Sequence, residues 1–245
     1  MPPSPDMTDV VPTGGAAPLG RLLTARAGAA GWLDRAVTEA GLRAPPFEEV
    51  RFSSAFSSAA RRLGKGPVAL TEEERRALGR DCIDWPLDGW GVDELGRAAL
   101  LLEAFRALAP EPAAALLARC YARADNRERQ AVLRSLPLLP DGRRFLALAV
   151  DACRSSVQTV FEAIACENPF PAREFADASF HQMVLKSMFN GVALRRIVGL
   201  ERRRTPELAR MATDYAAERR AAGRAVPADI DLVLSGTGTG TGTEP

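Results

Sequence analysis

The sequence predicts an all-α protein built from consecutive short antiparallel helices. Apolar residues recur at spacings of three and four along most of the chain, which is the period of an amphipathic helix. Alternating strand patterns are nearly absent, and the one β-branched cluster, IDLVL, is short. Helices of this kind bury their apolar faces as hairpins in a HEAT-like stack or in an irregular bundle, and the pattern leaves both arrangements open.

The periodic part of the chain covers residues 18–234, and we expect it to form a single domain. Residues 1–17 are rich in Pro, Gly, Ser and Thr, which predicts a disordered leader. Residues 235–245 read SGTGTGTGTEP and predict a flexible low-complexity tail. Apolar residues make up 47% of the chain, which is enough for a sizeable buried core.

Local signals place several helix ends. Thr71 precedes Glu74 by three residues, which is the spacing of a capping box at a helix start. Thr205 is followed by Pro206, a residue favoured in the first helical turn. Gly41 predicts the end of the helical pattern that precedes it.

Four segments are assigned from their periodicity. Residues 18–40 carry one helical pattern, and residues 141–168 contain either two helices with a break near 154–156 or one long bent helix. We also expect a helix over 173–189 and a short helix over 193–200.

Composition excludes several classes of protein. The 32 basic and 31 acidic residues leave a net charge of +1, so no global field draws the chain to nucleic acid or to an acidic membrane. No segment approaches the roughly 18 apolar residues of a spanning helix, and no secretory signal is evident. The scattered cysteines are expected to be small buried residues in a reducing compartment, and these are Cys82, Cys120, Cys153 and Cys166. We therefore predict a cytoplasmic protein.

Catalytic motifs are not recognisable in this chain. The sequence has no Gly-rich dinucleotide fingerprint, phosphate-binding loop, HExxH or GxSxG. Asp177 and His181 lie at i, i+4 but supply two ligands, where a zinc site requires three or four. The arginines at 202–204 either bind phosphate at the start of the last helix or are solvated charge. We predict no cofactor and no metal, we leave the catalytic residues unknown, and we favour a role other than catalysis.

Residues 152–190 depart from the generic helical pattern. They contain the single histidine and five of the ten phenylalanines. On one helix, Arg154, Gln158 and Glu162 would form a polar row at i, i+4 and i+8. A hairpin through the sequence ENPFP would bring a second polar row from the next helix beside it. The predicted binding site comprises Arg154, Gln158, Glu162, Glu167, Asn168, His181, Gln182, Lys186 and Asn190.

This polar stretch has two interpretations. Mixed charges at i, i+4 are also typical of a solvated helix face, where each pair stabilises the helix by about 0.2–0.5 kcal/mol. His181 likewise is either a hydrogen-bonded structural residue or a proton carrier. In a functional site, arginine and lysine would hold a phosphate or carboxylate, and Glu162 or His181 would transfer the proton.

Long word matches in this part of the chain resemble the EboA family. They are ADNRERQAVLRSLPLLPD, DACRSSVQTVFEAIACENPFP and a run from FADASFHQMVLKSMFN through AAGRAVPADI. The resemblance covers residues 120–232, and it is weaker upstream in FSSAFSSAARRLGK.

The EboA resemblance implies a genomic context and supplies no catalytic motif. Such proteins are encoded in bacterial and algal ebo clusters beside a UbiA-like prenyltransferase, and these clusters make or move a specialised small molecule. The resemblance implies an accessory or scaffold protein that binds other ebo-cluster proteins or a pathway intermediate, peripheral to the inner membrane through a partner. The alternatives are a small-molecule-binding protein or enzyme that uses Arg154, Glu162 and His181, and self-assembly through faces rich in Phe and Met.

Overall fold

A computed structural model describes residues 16–26, 29, 31–80, 83, 85–87 and 89–234. Within these residues the chain forms thirteen α-helices and four 3₁₀ helices, and an isolated bridge between Pro67 and Gly91 is the sole β pairing. The all-α prediction is confirmed, whereas the choice between a HEAT-like stack and a bundle stays open. The predicted tail and residues 1–15 lie outside the described residues. Residues 16 and 17, predicted as leader, are helical instead.

The chain divides after Phe145 into two compact units, and the single domain over 18–234 stays a prediction. The first unit holds seven α-helices, namely α1 (Ala16–Thr24), α2 (Trp32–Glu39), α3 (Glu49–Leu63), α4 (Glu72–Arg80), α5 (Val92–Ala107), α6 (Pro110–Arg123) and α7 (Asn126–Ser135). Two 3₁₀ helices follow, Leu136–Leu138 and Gly142–Phe145.

Helix α5 lies at the centre of the first unit, where it packs against α1, α2, α3, α6 and α7. Every residue from Val92 to Leu102 is buried, so this part of the helix has no polar outer face of the usual amphipathic kind. Gly96 permits the close approach of its neighbours, because an added Cβ would lie 2.3 Å from Leu63 Cδ1 and 3.1 Å from Trp32 Cζ3.

The helical pattern over residues 18–40 forms two helices, α1 and α2, rather than one. Arg26 follows α1 and leaves the helical path, since its guanidinium pairs with Glu74 at 2.5 and 3.0 Å. Gly31 then begins α2 with a left-handed φ of 74°. Glu74 also completes the predicted capping box, in which its carboxylate accepts from Thr71 N at 2.9 Å and its N–H donates to Thr71 Oγ1 at 3.2 Å. The same carboxylate therefore holds the start of α4 and the turn after α1.

Gly41 ends α2 in a conformation that requires glycine. Its φ is 67°, and an added Cβ would lie 2.0 Å from the backbone oxygen of Pro46. We expect Gly41→Ala to lower the free energy of unfolding by about 2–4 kcal/mol, because left-handed strain of about 1–2 kcal/mol adds to a backbone clash. Gly191→Ala is the matched control, since Gly191 follows the end of the helix Asp177–Phe189 with a φ of 68°, makes the same pattern of backbone hydrogen bonds as Gly41 and has open space around it. Urea denaturation should show a clearly larger loss for Gly41→Ala, and equal losses would contradict the clash.

The second unit contains six α-helices, namely α8 (Leu146–Ala152), α9 (Gln158–Ala165), α10 (Phe170–Glu174), α11 (Asp177–Phe189), α12 (Pro206–Ala221) and α13 (Asp231–Leu234). Helix α11 packs against α9 and α12. The break near 154–156 is confirmed, as is the start of α12 at Thr205, whose hydroxyl accepts from Leu208 N at 3.1 Å.

Two helix predictions in the second unit are wrong. The helix predicted from 173 begins instead at Asp177, because the short α10 occupies the preceding residues and ends at Glu174. Residues 193–200 form no α-helix but a 3₁₀ turn, Leu194–Arg196, and a second 3₁₀ turn follows at Glu201–Arg203.

Along the described chain, no helix combines the length and the hydropathy needed to cross a membrane.

Candidate functional site

Arg154 does not share a helical face with Gln158 and Glu162. Helix α8 ends at Ala152, so Arg154 lies in the turn before α9 and the predicted i, i+4, i+8 row is wrong. Its side chain is 75% exposed and lies 3.8 Å from the Asp151 carboxylate, in a solvated ion pair that is too long for a hydrogen bond. Arg154 is therefore a solvated residue at the α8–α9 turn.

Arg196 gathers three of the predicted residues into one cluster. Its guanidinium lies 2.7 Å from Glu162 Oε2 and contacts the Glu167 carboxylate at 2.7 and 3.0 Å. Gln158 Nε2 donates to the other oxygen of Glu162 at 2.8 Å. The hydrogen bonds to Glu167, and then to Glu162, raise the pKa of Arg196 above its ordinary value. This arginine was missed in the sequence because it lies 29 and 34 residues from its two partners.

The turn between α9 and α10 is built from the next two predicted residues. Glu167 has a left-handed φ of 47°, and its N–H donates to Arg196 O at 2.8 Å. Asn168 is 2% exposed, and its side chain donates to Ala163 O at 2.9 Å and accepts from Phe170 N at 3.0 Å. Both residues therefore shape this turn.

Lys186 reaches from α11 to the turn after α8. Its ammonium donates to the carbonyl oxygens of Cys153 and Ser155 at 2.7 Å each, and it lies 4.9 Å from the centre of the Phe161 ring. Burial raises the pKa of the Cys153 thiol to about 12, although the nearby Lys186 charge opposes this shift. The Lys186 ammonium therefore links the α8–α9 turn to α11.

The chain has two lysines, which permits a direct test of this contact. Lys65 is exposed, whereas Lys186 is partly buried and bonded to two carbonyls. We expect an amine-reactive reagent to modify Lys186 on the order of tenfold more slowly than Lys65, because Lys186 must first leave its partners. Mass spectrometry of timed digests measures both rates in one sample. Equal rates would show that the Lys186 ammonium is free.

His181 is buried in α11 and bonds to the cap of α12. It is 5% exposed, and its Nε2 lies 3.0 Å from the hydroxyl of Thr205. The contact joins the two helices and matches the structural interpretation of this histidine. Gln182 is exposed on α11, and Asn190 is exposed directly after the end of this helix.

The nine predicted residues thus form several local groups. Gln158, Glu162 and Glu167 meet at Arg196, whereas Lys186 and His181 each have separate partners. The binding site over these residues stays a prediction.

Arg203 is a second arginine with several specific contacts that the sequence did not predict. It donates to Ala172 O and Phe175 O at 2.7 Å each and to Asp177 Oδ1 at 2.9 Å. Its guanidinium lies 4.8 Å from the centre of the Phe180 ring. Of the three arginines at 202–204, this one is therefore neither solvated charge nor an open phosphate ligand.

A buried ionic network occupies the first unit. Asp93 on α5 is 0% exposed and accepts from Arg97 at 2.6 Å and from Arg127 at 2.5 and 2.7 Å. Glu94, 1% exposed, accepts from Arg134 at 2.6 Å and from Gly91 N at 2.6 Å. The sequence places both acids in the first turn of α5, but their burial depends on arginines from α7.

The cysteines in the described chain are unpaired thiols. Cys153 and Cys166 are buried and Cys120 is partly buried, where burial raises the pKa of its thiol to about 11. Cys82 lies outside the described residues. Among the side chains that the structure describes, no three His, Cys, Asp or Glu residues are grouped as a metal ion requires.

Comparison with known families identifies the chain. The model of the family described as metabolite traffic protein EboA matches residues 23–234. The chain belongs to the EboA family. The EboA match includes all nine predicted residues and the buried ionic network. No curated protein and no solved structure is significantly similar to the chain.

Three of the clefts lined by described residues lie in the first unit of this EboA protein. They measure about 190 Å³ beside α1 and α4, about 230 Å³ between α2 and α3, and about 80 Å³ beside α3 and α6. None of the three is lined by the nine predicted residues. Glu49 and Arg119 meet at the smallest cleft, where the hydrogen bond from Arg119 lowers the pKa of Glu49.

Proposed function

We propose that this protein acts in metabolite traffic as an accessory or scaffold protein. In this role it binds an intermediate of a specialised-metabolite pathway, or the partner protein that receives it, and leaves the molecule chemically unchanged. The observation that carries the proposal is the EboA family match over residues 23–234.

The contacts of the polar residues favour binding over catalysis. A general base must direct a free lone pair at its substrate. Glu162 instead accepts from Arg196, His181 contacts Thr205, and the Lys186 ammonium donates to two carbonyls. These groups hold helices together, so a reaction at this surface would first require them to be released.

The proposed partners are other ebo-cluster proteins, with the UbiA-like prenyltransferase as the first candidate. The resemblance to EboA proteins supports this choice, and we propose a cytoplasmic location, peripheral to the inner membrane through that partner. A net charge of +1 gives the chain no global attraction to nucleic acid.

Equilibrium dialysis tests the proposal. The purified full chain is dialysed against extracts of cells that carry or lack the other cluster genes, and the retained molecules are analysed by mass spectrometry. We expect a cluster-dependent molecule to be retained at its original mass. Failure to retain any such molecule, together with failure to recover a tagged cluster protein, would overturn the proposal.

The same experiment detects the alternative function. An enzyme at Arg154, Glu162 and His181 would consume a cluster-dependent molecule and release a product of different mass. Loss of that conversion in Glu162→Gln and His181→Gln, with the fold intact by circular dichroism, would establish catalysis at this surface.

A further inference from the structure

Helices α2 and α3 run antiparallel as a hairpin. Glu48 N donates to Ala40 O at 3.0 Å, which joins the end of α2 to the start of α3. At the other end, Trp32 and Leu63 both lie against Gly96 of α5. The first residues of α2 are therefore next to the last residues of α3.

The cleft of about 230 Å³ lies between these two helices. Trp32 and Ala36 form its buried floor. Its polar side chains are Arg35 and Glu39 from α2 and Arg51, Ser54, Ser58 and Arg62 from α3. The α3 residues are spaced by three and four, so they share one helical face. The hairpin places Arg35 with Arg62 at the open end, and Glu39 with Arg51 at the closed end.

The three arginines of this cleft have no partner in the described chain. Arg35, Arg51 and Arg62 are exposed, no described carboxylate lies within ion-pair distance of their side chains, and their guanidinium groups donate no hydrogen bond to the described residues. Many other arginines are engaged, as in the nearby pair of Arg43 with Asp34. Three guanidinium groups and one carboxylate leave the cleft with excess positive charge, which attracts anions.

We propose that this cleft binds a small phosphorylated metabolite, with its phosphate between Arg35 and Arg62. Two guanidinium groups on different helices can approach a tetrahedral phosphate from two sides, whereas a planar carboxylate is satisfied by one arginine fork. This inference rests on the proposed function and deepens it, because it names the chemical class of the molecule carried.

The rest of the cleft favours a hydroxylated ligand. Ser54 presents a hydroxyl group, and Glu39 can accept from a ligand hydroxyl. The Ser58 hydroxyl donates to Ala55 O at 3.3 Å and can still accept a hydrogen bond from a ligand. The volume of about 230 Å³ lies below the roughly 300–1,000 Å³ typical of sites for drug-sized ligands. These features select a compact polar molecule, such as a sugar phosphate, over a lipid.

Nuclear magnetic resonance tests this site with glucose 6-phosphate as the probe. The ¹⁵N-labelled full chain is titrated at constant ionic strength with glucose 6-phosphate, inorganic phosphate or glucose. We expect saturable shifts of α2 and α3 amides with glucose 6-phosphate, weaker binding of phosphate and no binding of glucose. Arg35→Gln and Arg62→Gln should each raise the Kd by about tenfold or more.

Arg61→Gln is the matched control, because Arg61 is exposed on α3 and does not line the cleft. It should change the Kd by less than about twofold. Equal weakening by Arg61→Gln, or shifts that do not saturate, would overturn the site. If either of these results is found while a cluster-dependent molecule is still retained in dialysis, the site fails and the proposed function stands. If glucose 6-phosphate binds as expected but neither a cluster-dependent molecule nor a tagged cluster protein is retained, the site stands and the proposed function fails.

Discussion

Asp93→Asn is expected to lower the free energy of unfolding by about 3–5 kcal/mol, because it leaves buried arginine charge without its counter-ion. Asp93 is 0% exposed and is bonded to Arg97, which is itself 2% exposed. The substitution keeps the size of the side chain, so the loss reports on charge and hydrogen bonding. Urea denaturation followed by circular dichroism measures it.

Glu103→Gln on the same helix is the control for Asp93→Asn. Glu103 pairs with Arg106, whose side chain is 65% exposed, so the control should cost less than about 1 kcal/mol. Equal losses from the two variants would contradict the buried network.

The contribution of Asp93 to the free energy of unfolding also depends on pH. Burial raises the pKa of this carboxyl, but the hydrogen bonds from Arg127 and Arg97 together outweigh burial, and the net pKa lies below its ordinary value. A lowered folded-state pKa stabilises the fold above the unfolded pKa of about 3.9, and this contribution disappears as the pH falls through the folded value. The difference in the free energy of unfolding between wild type and Asp93→Asn should therefore be constant from about pH 5 to 7 and become smaller below about pH 4.

Arg203→Met is expected to lower the free energy of unfolding by about 2–3 kcal/mol. The variant removes donors to the carbonyl oxygens of Ala172 and Phe175 and the ion pair with Asp177. Charged hydrogen bonds contribute about 1.5–3 kcal/mol each, but part of this is recovered because water can reach a side chain that is 19% exposed.

The same denaturation experiment measures Arg203→Met against Arg202→Met. Arg202 is its exposed neighbour, and its substitution should change stability by less than about 0.5 kcal/mol. A loss for Arg203→Met no larger than that of Arg202→Met would show that the carbonyl contacts do not hold α10 and α11.

Helix starts were predictable because their signals are local. Thr71 with Glu74, and Thr205 before Pro206, act within three residues, and each begins a helix in the structure. The two helices within residues 18–40 were not separated, because that break depends on Glu74, 48 residues from Arg26.

The candidate site was less predictable because its contacts are distant in sequence. Residues 158–190 carry the right polar types, but Glu162 and Glu167 pair with Arg196, to which no helical period connects them. His181 likewise contacts Thr205, 24 residues away. The cleft with the three unpaired arginines lies between α2 and α3. The sequence pattern treated α1 and α2 as one helix, so it could not show which arginine side chains would lie in this cleft without a partner.

The most direct test of the metabolite-traffic role compares cells that lack this gene with cells that carry it. Mass spectrometry measures each cluster-dependent metabolite inside the cells and in the medium. A traffic protein predicts an unchanged total amount with an altered ratio between cells and medium, restored by the wild-type gene. A fall in the total, with accumulation of a precursor that the purified protein converts, would contradict the account.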